Sequence, residues 1–229
     1  MKLAAVAKAR ALAIIELNEL NVGGKVRFAD CVGPLVERYN FAVFPQKPED
    51  FDLSDKGVRF ESGKAGDLTI DSLVIYSGAI FVDTFSSTAD SRRILLEMLE
   101  WGRGALGLTY STGMIRRWGY ISHVMFFTDF PLLKSLSSPL QRLGEKISAV
   151  TQELWNGLSY EPMSVTIGHD PTVRKNAIAG FFIQHRINSP FAENKFFSEA
   201  PLPTDLHIKL LEELEADVLG SRTKPLELL

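Results

Sequence analysis

Acidic side chains stand at the ends of three apolar runs in this sequence. Asp83 lies near the end of AIFVDTF and Asp129 near the end of YISHVMFFTDF. Asp170 follows the third run, SYEPMSVTI, with His169 beside it. If the runs are parallel strands, these ends share one side of a sheet, where open α/β proteins bind their ligands. Carboxylate oxygens suit Mg²⁺ and Mn²⁺, so the four residues are candidate catalytic groups of a metal-dependent phosphoester hydrolase.

Three hydroxyl side chains follow Asp83 and precede a predicted helix. They are Ser86, Ser87 and Thr88. Because a helix N-terminus presents unpaired N–H groups, these residues are candidate phosphate-binding groups. The same residue types also suit a local role, since serine and threonine are preferred N-caps and aspartate commonly closes turns. The sequence leaves both interpretations open, a catalytic site or a set of caps and solvated loops.

No specific signature of nucleophilic or cofactor chemistry is present. The sequence has no GxSxG elbow, and its single cysteine, Cys31, has neither a neighbouring base nor a CxxC partner. GRGALG at 102–107 matches GxGxxG, but it follows a predicted helix instead of opening one, so it does not predict a dinucleotide site. We therefore assign no catalytic residue and predict no cofactor, with Mg²⁺ or Mn²⁺ needed only under the hydrolase hypothesis.

The stretch from 69 to 101 organises the predicted fold. TIDSLVIY and AIFVDTF alternate around Ser77-Gly78, which predicts a β-hairpin. VRFES just before it adds a strand, so the pattern predicts a three-stranded antiparallel meander. Ser87 and Asp90 resemble a capping box, which predicts that a helix begins near the next residues.

Helices are predicted on both sides of this meander. Residues 2–20 are strong helix formers without glycine or proline, and a second, shorter helix is predicted at 30–39. A last helix is predicted from Thr204 to a stop at Gly220. After Ser138-Pro139, aliphatic residues recur at helical spacing and predict a helix with one apolar face. That face comprises Leu140, Leu143, Ile147, Val150 and Leu154.

Further strands complete the predicted sheet. They are expected at 40–44, 120–130, 160–167 and 178–187, with a short edge strand in KFFSEAP. Strands separated by a helix are most simply parallel, through right-handed crossovers. The predicted fold class is therefore α/β, or mixed α+β: one mixed sheet in which an antiparallel meander is followed by β-α-β-α-β units, with helices packed on the sheet.

The domain organisation follows from the same elements. Residues 1–39 are predicted to form a helical segment packed on a main domain of residues 40–220, and 221–229 to be a flexible tail. Hydrophobic residues make up 45% of the chain and charged residues 23%, which is typical of globular proteins. The net charge of −3, without a basic cluster, does not support nucleic-acid binding. A lone cysteine and the lack of a long apolar run predict a cytoplasmic protein without a membrane span.

An aromatic segment near the C-terminus suggests a partner. SPFAENKFFSEAPLP combines Phe191, Phe196 and Phe197 with three prolines, and aromatic anchors supply much of the energy of protein interfaces. These residues are the candidate interface, and a homo-oligomer or a protein partner is expected. The functional hypothesis is a non-catalytic interaction or assembly subunit. The alternative is the metal-dependent phosphoester hydrolase, and a small-ligand sensor is the third.

Overall fold

The structure is a computed structural model that describes residues 1–155, 158–170, 172 and 179–223, with the backbone alone at 153–155 and 221–223. The helices are α1 Leu17–Leu20, α2 Phe28–Tyr39, α3 Thr88–Ala105, α4 Leu132–Ser135, α5 Ser138–Trp155 and α6 Thr204–Thr223. The strands are β1 Lys2–Ile14, β2 Val58–Ala65, β3 Leu68–Tyr76, β4 Ala79–Thr84, β5 Arg117–Phe127, β6 Ser164–Ile167, β7 Phe181–His185 and β8 Lys195–Ala200.

The chain divides into two compact units. The α3 unit contains Val6–Ser122 and Pro201–Thr204. The α5 unit contains Met1–Ala5, His123–Ala200 and Asp205–Leu229. Strands β1 and β5 each contribute to both units, and α6 begins at the last residue that belongs to the α3 unit.

The strands form one eight-stranded antiparallel sheet in the order β2-β3-β4-β1-β5-β8-β7-β6. This confirms the predicted combination of a single sheet with packed helices. The predicted meander is also confirmed, because β3 pairs antiparallel with both β2 and β4. Across the hairpin turn Tyr76 stands opposite Ala79 and Val74 opposite Phe81. Residues 40–44, predicted as a strand, form only an isolated bridge at Val43.

The N-terminal helix predicted for residues 2–20 is wrong, because residues 2–14 form strand β1. Alternate residues Ala9, Ala11 and Ala13 are all fully buried, a period of two that identifies one face of a strand. Helix α3 approaches this strand at Ser91, whose Oγ donates a 2.7 Å hydrogen bond to the Ala9 carbonyl. Small side chains permit this close approach of helix to strand. Sheet pairing therefore overrides the helical propensity of alanine.

The predicted parallel crossovers are wrong for a related reason. Strand β1 pairs antiparallel with β4 and also lies beside β5, where the Arg116 amide donates to the Ile14 carbonyl. Strands β4 and β5 consequently point the same way but are separated by β1. Strand β1 therefore lies between β4 and β5, which the sequence predicted to be direct parallel neighbours.

The core of the α3 unit lies between the sheet and its helices. From α3, Ile94, Leu95 and Leu99 point into this core and are at most 5% exposed. They meet apolar side chains of β2, β3 and β4, such as Phe60 and Leu73. These three side chains form the buried face of α3.

The α5 unit builds its core on β5, β7 and β8. Phe126 and Phe196 stack there with ring centroids 5.5 Å apart, and Leu211 of α6 is 1% exposed. Strand β8 lies between β5 and β7, so the expectation of an edge strand is wrong. Helix α6 begins at Thr204 as predicted but continues beyond Gly220 to Thr223, and the rest of the predicted tail lies outside the described residues. Across the described ranges, no helix combines the length and apolarity that crossing a membrane requires.

Candidate functional site

Asp83, the first predicted metal ligand, is fully buried in β4. Its carboxylate accepts hydrogen bonds from Arg10 Nε and Nη2, both at 2.7 Å, and from Ser72 Oγ at 3.0 Å. Lys8 Nζ lies 3.6 Å away, and the Arg10 guanidinium lies 3.7 Å from the ring centroid of Phe81. Because Arg10 engages both carboxylate oxygens, the pair is a compensated buried charge that joins β1 to β4.

Ser87 is the N-cap of α3, as the capping-box pattern predicted. Its Oγ accepts the amide hydrogen of Asp90 at 3.0 Å and donates to Asp90 Oδ2 at 2.9 Å. The Ser86 hydroxyl lies 3.2 Å from that of Thr84. These hydroxyls therefore satisfy the local backbone and side chains at the start of the helix.

Thr88 joins the starts of two helices. Its amide donates to Thr204 Oγ1 at 3.0 Å, and the Thr204 amide donates to Thr88 Oγ1 at 2.9 Å. Both residues are buried. This reciprocal pair satisfies an N-terminal amide of α3 and one of α6, so neither amide is left to bind a phosphate.

The other predicted metal ligands belong to the α5 unit. Asp129 is exposed in the turn after β5. Asp170 accepts the Thr172 hydroxyl at 2.7 Å and its amide at 2.8 Å, which lowers the pKa of Asp170. His169 Nδ1 lies 3.1 Å from the Asp170 carbonyl. In the described part of the chain, no three His, Cys, Asp or Glu side chains are grouped to hold a metal ion, and the convergence of Asp83 with these residues stays a prediction.

The three candidate interface phenylalanines differ in exposure. Phe196 is fully buried between Phe126 and His185, with centroid distances of 5.5 and 4.7 Å. Phe191 is half-buried over His185 at 4.6 Å. Phe197 is half-buried against aromatic rings of its neighbouring strands. Phe196 is therefore a core residue of its own unit, because β8 lies inside the sheet and every second side chain must pack inward.

One serine–histidine pair was not predicted, and nothing in the sequence marks it. Ser198 Oγ lies 2.8 Å from His207 Nε2 and donates to the Phe182 carbonyl at 2.8 Å. A hydroxyl has one proton, so His207 must donate to Ser198. A serine nucleophile needs the opposite direction, with histidine accepting the serine proton. The pair is fully buried and joins α6 to the sheet within the α5 unit.

Helix α5 exposes a row of aliphatic side chains, which we call the α5 stripe. The helix is confirmed, but four of the five residues on its predicted apolar face are in solvent. Their exposed fractions are 49% for Leu140, 53% for Leu143, 38% for Ile147 and 64% for Val150. The side chain of Leu154 lies outside the described residues. Aliphatic residues aligned on an exposed helix face are typical of an interaction surface.

The side of α5 next to this stripe fixes the orientation of the helix. Gly144 packs so tightly that an added Cβ would lie 2.6 Å from the Tyr160 carbonyl oxygen. Ser148 Oγ accepts the Tyr160 amide at 2.8 Å and donates to the Gly144 carbonyl at 2.8 Å. An ion pair of 3.1 Å between Lys134 and Glu161 holds the same segment. Turning the α5 stripe inward would break these contacts.

A scan against models of protein families matches none of them, and a search of curated proteins finds no relative. Function is therefore inferred from the contacts, burial and charges of the side chains.

Proposed function

We propose that this protein is a non-catalytic assembly subunit that associates with a second copy of itself through the α5 stripe. The observation that carries the proposal is the exposure of Leu140, Leu143, Ile147 and Val150 on one face of α5, a helix that contacts its own chain around Gly144 and Ser148. Removing apolar surface from water is favourable by about 25 cal/mol per Å², and this gain opposes the entropic cost of association. A stripe that the described part of the chain leaves uncovered therefore favours a partner.

The spacing of the α5 stripe fits another helix. Its residues are separated by three, four and three positions, which is the a/d pattern of a helix pair with a mean repeat of 3.5. Such residues interdigitate with those of a facing helix at the same spacing. From residue 140 to residue 150 the stripe extends about 15 Å along the helix, at 1.5 Å per residue.

A second copy of this chain supplies a matching surface. The spacing of three, four and three reads the same from either end, so an antiparallel copy places Leu140 opposite Val150 and Leu143 opposite Ile147. A two-fold interface of this kind uses the same patch on both subunits. The surrounding charges have both signs, with Arg142 and Lys146 near Glu145, so like-charge repulsion between two copies is partly offset by attraction.

The contacts of the polar candidates also favour assembly over hydrolysis. Asp83 is compensated by Arg10, and Ser87 caps its own helix. The lone Cys31 is buried, which suits a protein of a reducing, cytoplasmic compartment.

Sedimentation velocity tests the proposal over protein concentrations from about 1 to 100 µM, the range of many weak interfaces. The wild type is expected to pass from 25.5 kDa monomer to dimer with rising concentration. Leu143→Glu is expected to weaken dimerisation at least about 30-fold, because a charge at the centre of an apolar interface removes about 2 kcal/mol or more. Leu219→Glu is the matched control, since Leu219 is a similarly exposed leucine, 45%, on α6.

Two results would contradict this function. A wild-type protein that stays monomeric at every concentration excludes a second copy as the occupant. Equal dimerisation of Leu143→Glu and wild type excludes the α5 stripe as the surface. Adding vesicles of neutral and anionic phospholipid to the same samples identifies a membrane surface as the occupant if the protein binds them and loses that binding with Leu143→Glu.

A further inference from the structure

The α3 unit contains an apolar cavity of about 210 Å³. Its floor is formed by β3 and β4, which contribute Leu73 and Ile80, and its walls by α2 and α3. Cys31 from α2 and Leu95 and Leu99 from α3 line these walls and are at most 7% exposed. The cavity therefore extends into the hydrophobic core of this unit.

The cavity reaches the surface through half-exposed residues. Leu17, Phe28 and Leu53 line this outer part, and the exposed Asn18 stands beside them. The side-chain amide of Asn18 has no hydrogen-bond partner among the residues that the structure describes. It can therefore bind a polar group at this outer part, the mouth of the cavity. Asn21 cannot, because its amide already donates to the Val26 carbonyl at 2.7 Å and accepts the Val26 amide at 3.1 Å.

The lining specifies an uncharged ligand. None of the residues around the cavity carries a formal charge, so an ionic group would lose its hydration without gaining a counter-charge. The Cys31 thiol forms part of this wall, and burial, followed by the nearby Asp30 carboxylate, raises its pKa. The thiol therefore contributes a neutral, apolar surface at neutral pH.

The volume bounds the size of the ligand. An apolar cavity of about 150 Å³ stays dry and accepts benzene, and a void of this kind deprives its lining of dispersion contacts. We propose that the cavity of about 210 Å³ binds a neutral, predominantly apolar molecule of about 8 to 12 non-hydrogen atoms, aromatic or aliphatic, with at most one hydrogen-bonding group directed at Asn18. This binding is independent of the α5 stripe.

Matched probes test the class of ligand. Full-length protein is titrated with indole and 1-octanol, which are neutral, and with octanoate, which has the same chain length as the alcohol but carries a charge. The neutral probes are expected to bind saturably and to raise the unfolding midpoint by roughly 5–10 °C at a hundredfold excess over Kd. Octanoate is expected to bind at least about tenfold more weakly, because its carboxylate finds no counter-charge.

The position of the probe is tested through Cys31, the only cysteine of the chain. A bound probe is expected to slow the reaction of Cys31 with N-ethylmaleimide at least about tenfold, because the thiol lines the cavity. Mass spectrometry measures the fraction modified with time. Saturable binding that leaves this rate unchanged would place the probe elsewhere and overturn the proposal.

Filling the cavity provides the variant test. Leu53→Trp adds volume at the mouth and is expected to weaken indole binding at least about tenfold. Leu219→Trp on α6 is the matched control and should bind like wild type. If Leu53→Trp does not unfold cooperatively, Leu106→Trp replaces it at another half-exposed position of the lining. Absence of saturable binding by both neutral probes to folded wild type, or equal binding by filled and control variants, would overturn the proposal.

A separate measurement keeps this proposal distinct from self-association. Leu143→Glu changes the α5 stripe and leaves the cavity untouched, so its affinity for indole is expected to equal that of wild type. If dimerisation fails but indole binds, only the assembly function is lost. If dimerisation is observed and indole does not bind, only the cavity proposal is lost.

Discussion

Helices α3 and α5 have the same length and the same kind of pattern, but they use their apolar faces differently. Each has 18 residues and carries aliphatic side chains at helical spacing. Helix α3 directs Ile94 and Leu95 into the core, where they are at most 1% exposed, whereas α5 leaves Leu143 and Val150 more than half exposed. Periodicity therefore predicts that a helix has an apolar face and does not predict what covers it.

The difference arises from what each helix packs against. Beneath α3, β1 presents three alanines, and the Ser91 hydroxyl reaches the backbone of the strand. Helix α5 instead contacts the segment around Tyr160 through Gly144 and Ser148, a small and polar side. The face that is docked within the chain is therefore not the apolar one, and this arrangement supports an intermolecular role for the apolar face.

The largest expected effect comes from placing the same charge on each helix. Leu95→Glu buries a carboxylate at a fully buried position and is expected to cost more than about 5 kcal/mol, so that the protein does not fold. Leu143→Glu lies in solvent in the monomer and is expected to change the free energy of unfolding by less than about 1 kcal/mol. Circular dichroism and urea titration of dilute protein measure both. Equal destabilisation by the two variants would show that the α5 stripe is buried within its own chain.

The second prediction concerns the pH dependence of stability in the α5 unit, where a histidine is buried among aromatic rings. His185 is 4% exposed between Phe191 and Phe196. Burial lowers the pKa of His185, and the weaker attraction of Glu161 opposes this shift. With a depressed pKa in the folded state, the unfolded chain binds the proton more readily. The stability that His185 contributes is thus present above the ordinary histidine pKa of about 6.5 and is lost as pH falls through its folded value.

Urea unfolding of the full-length protein at pH 7.5 and 5.5 checks the direction of this pH dependence. Wild type is expected to lose stability at the lower pH, and His185→Phe, which keeps an aromatic ring but cannot be protonated, is expected to lose less. His169→Phe is the matched control, because it makes the same substitution at an exposed position. An unchanged pH dependence in His185→Phe would show that the buried ring does not govern the acid response.

Local patterns predicted local structure well. The hairpin at Ser77-Gly78, the Ser87 cap and the start of α6 at Thr204 depend on residues a few positions apart, and each is confirmed. Strand β1 was missed because alanine, lysine and leucine favour a helix in isolation, and the strand is stabilised by its place in the sheet, paired with β4 and lying beside β5. Propensity therefore fails where a distant element decides the conformation.

Because β1 was missed, the ion-pair partner of Asp83 was missed as well. Arg10 contacts Asp83 across 73 positions of sequence, and this pairing cannot be recognised while residues 2–20 are interpreted as a helix. Without β1 in the predicted sheet, β4 and β5 were predicted to be parallel neighbours. Asp83 and Asp129, near the ends of these strands, were then predicted to share a site, which stays a prediction. The cavity was unpredictable for a similar reason, since its lining is assembled from helices and strands that are distant in the sequence.

The smallest expected effect compares the N-termini of the two helices. Ser87 makes two hydrogen bonds with Asp90 at 2.9 and 3.0 Å, whereas Ser137 Oγ accepts the Leu140 amide at a long 3.4 Å. Ser87→Ala is expected to lower the free energy of unfolding by about 1 kcal/mol, because it leaves an α3 amide without its acceptor. Ser137→Ala is expected to cost less than half as much, since a bond of that length contributes little. Urea titration of both variants measures the difference, and a cost for Ser137→Ala equal to or larger than that of Ser87→Ala would show that the long Ser137 hydrogen bond stabilises α5 as much as the Ser87 cap stabilises α3.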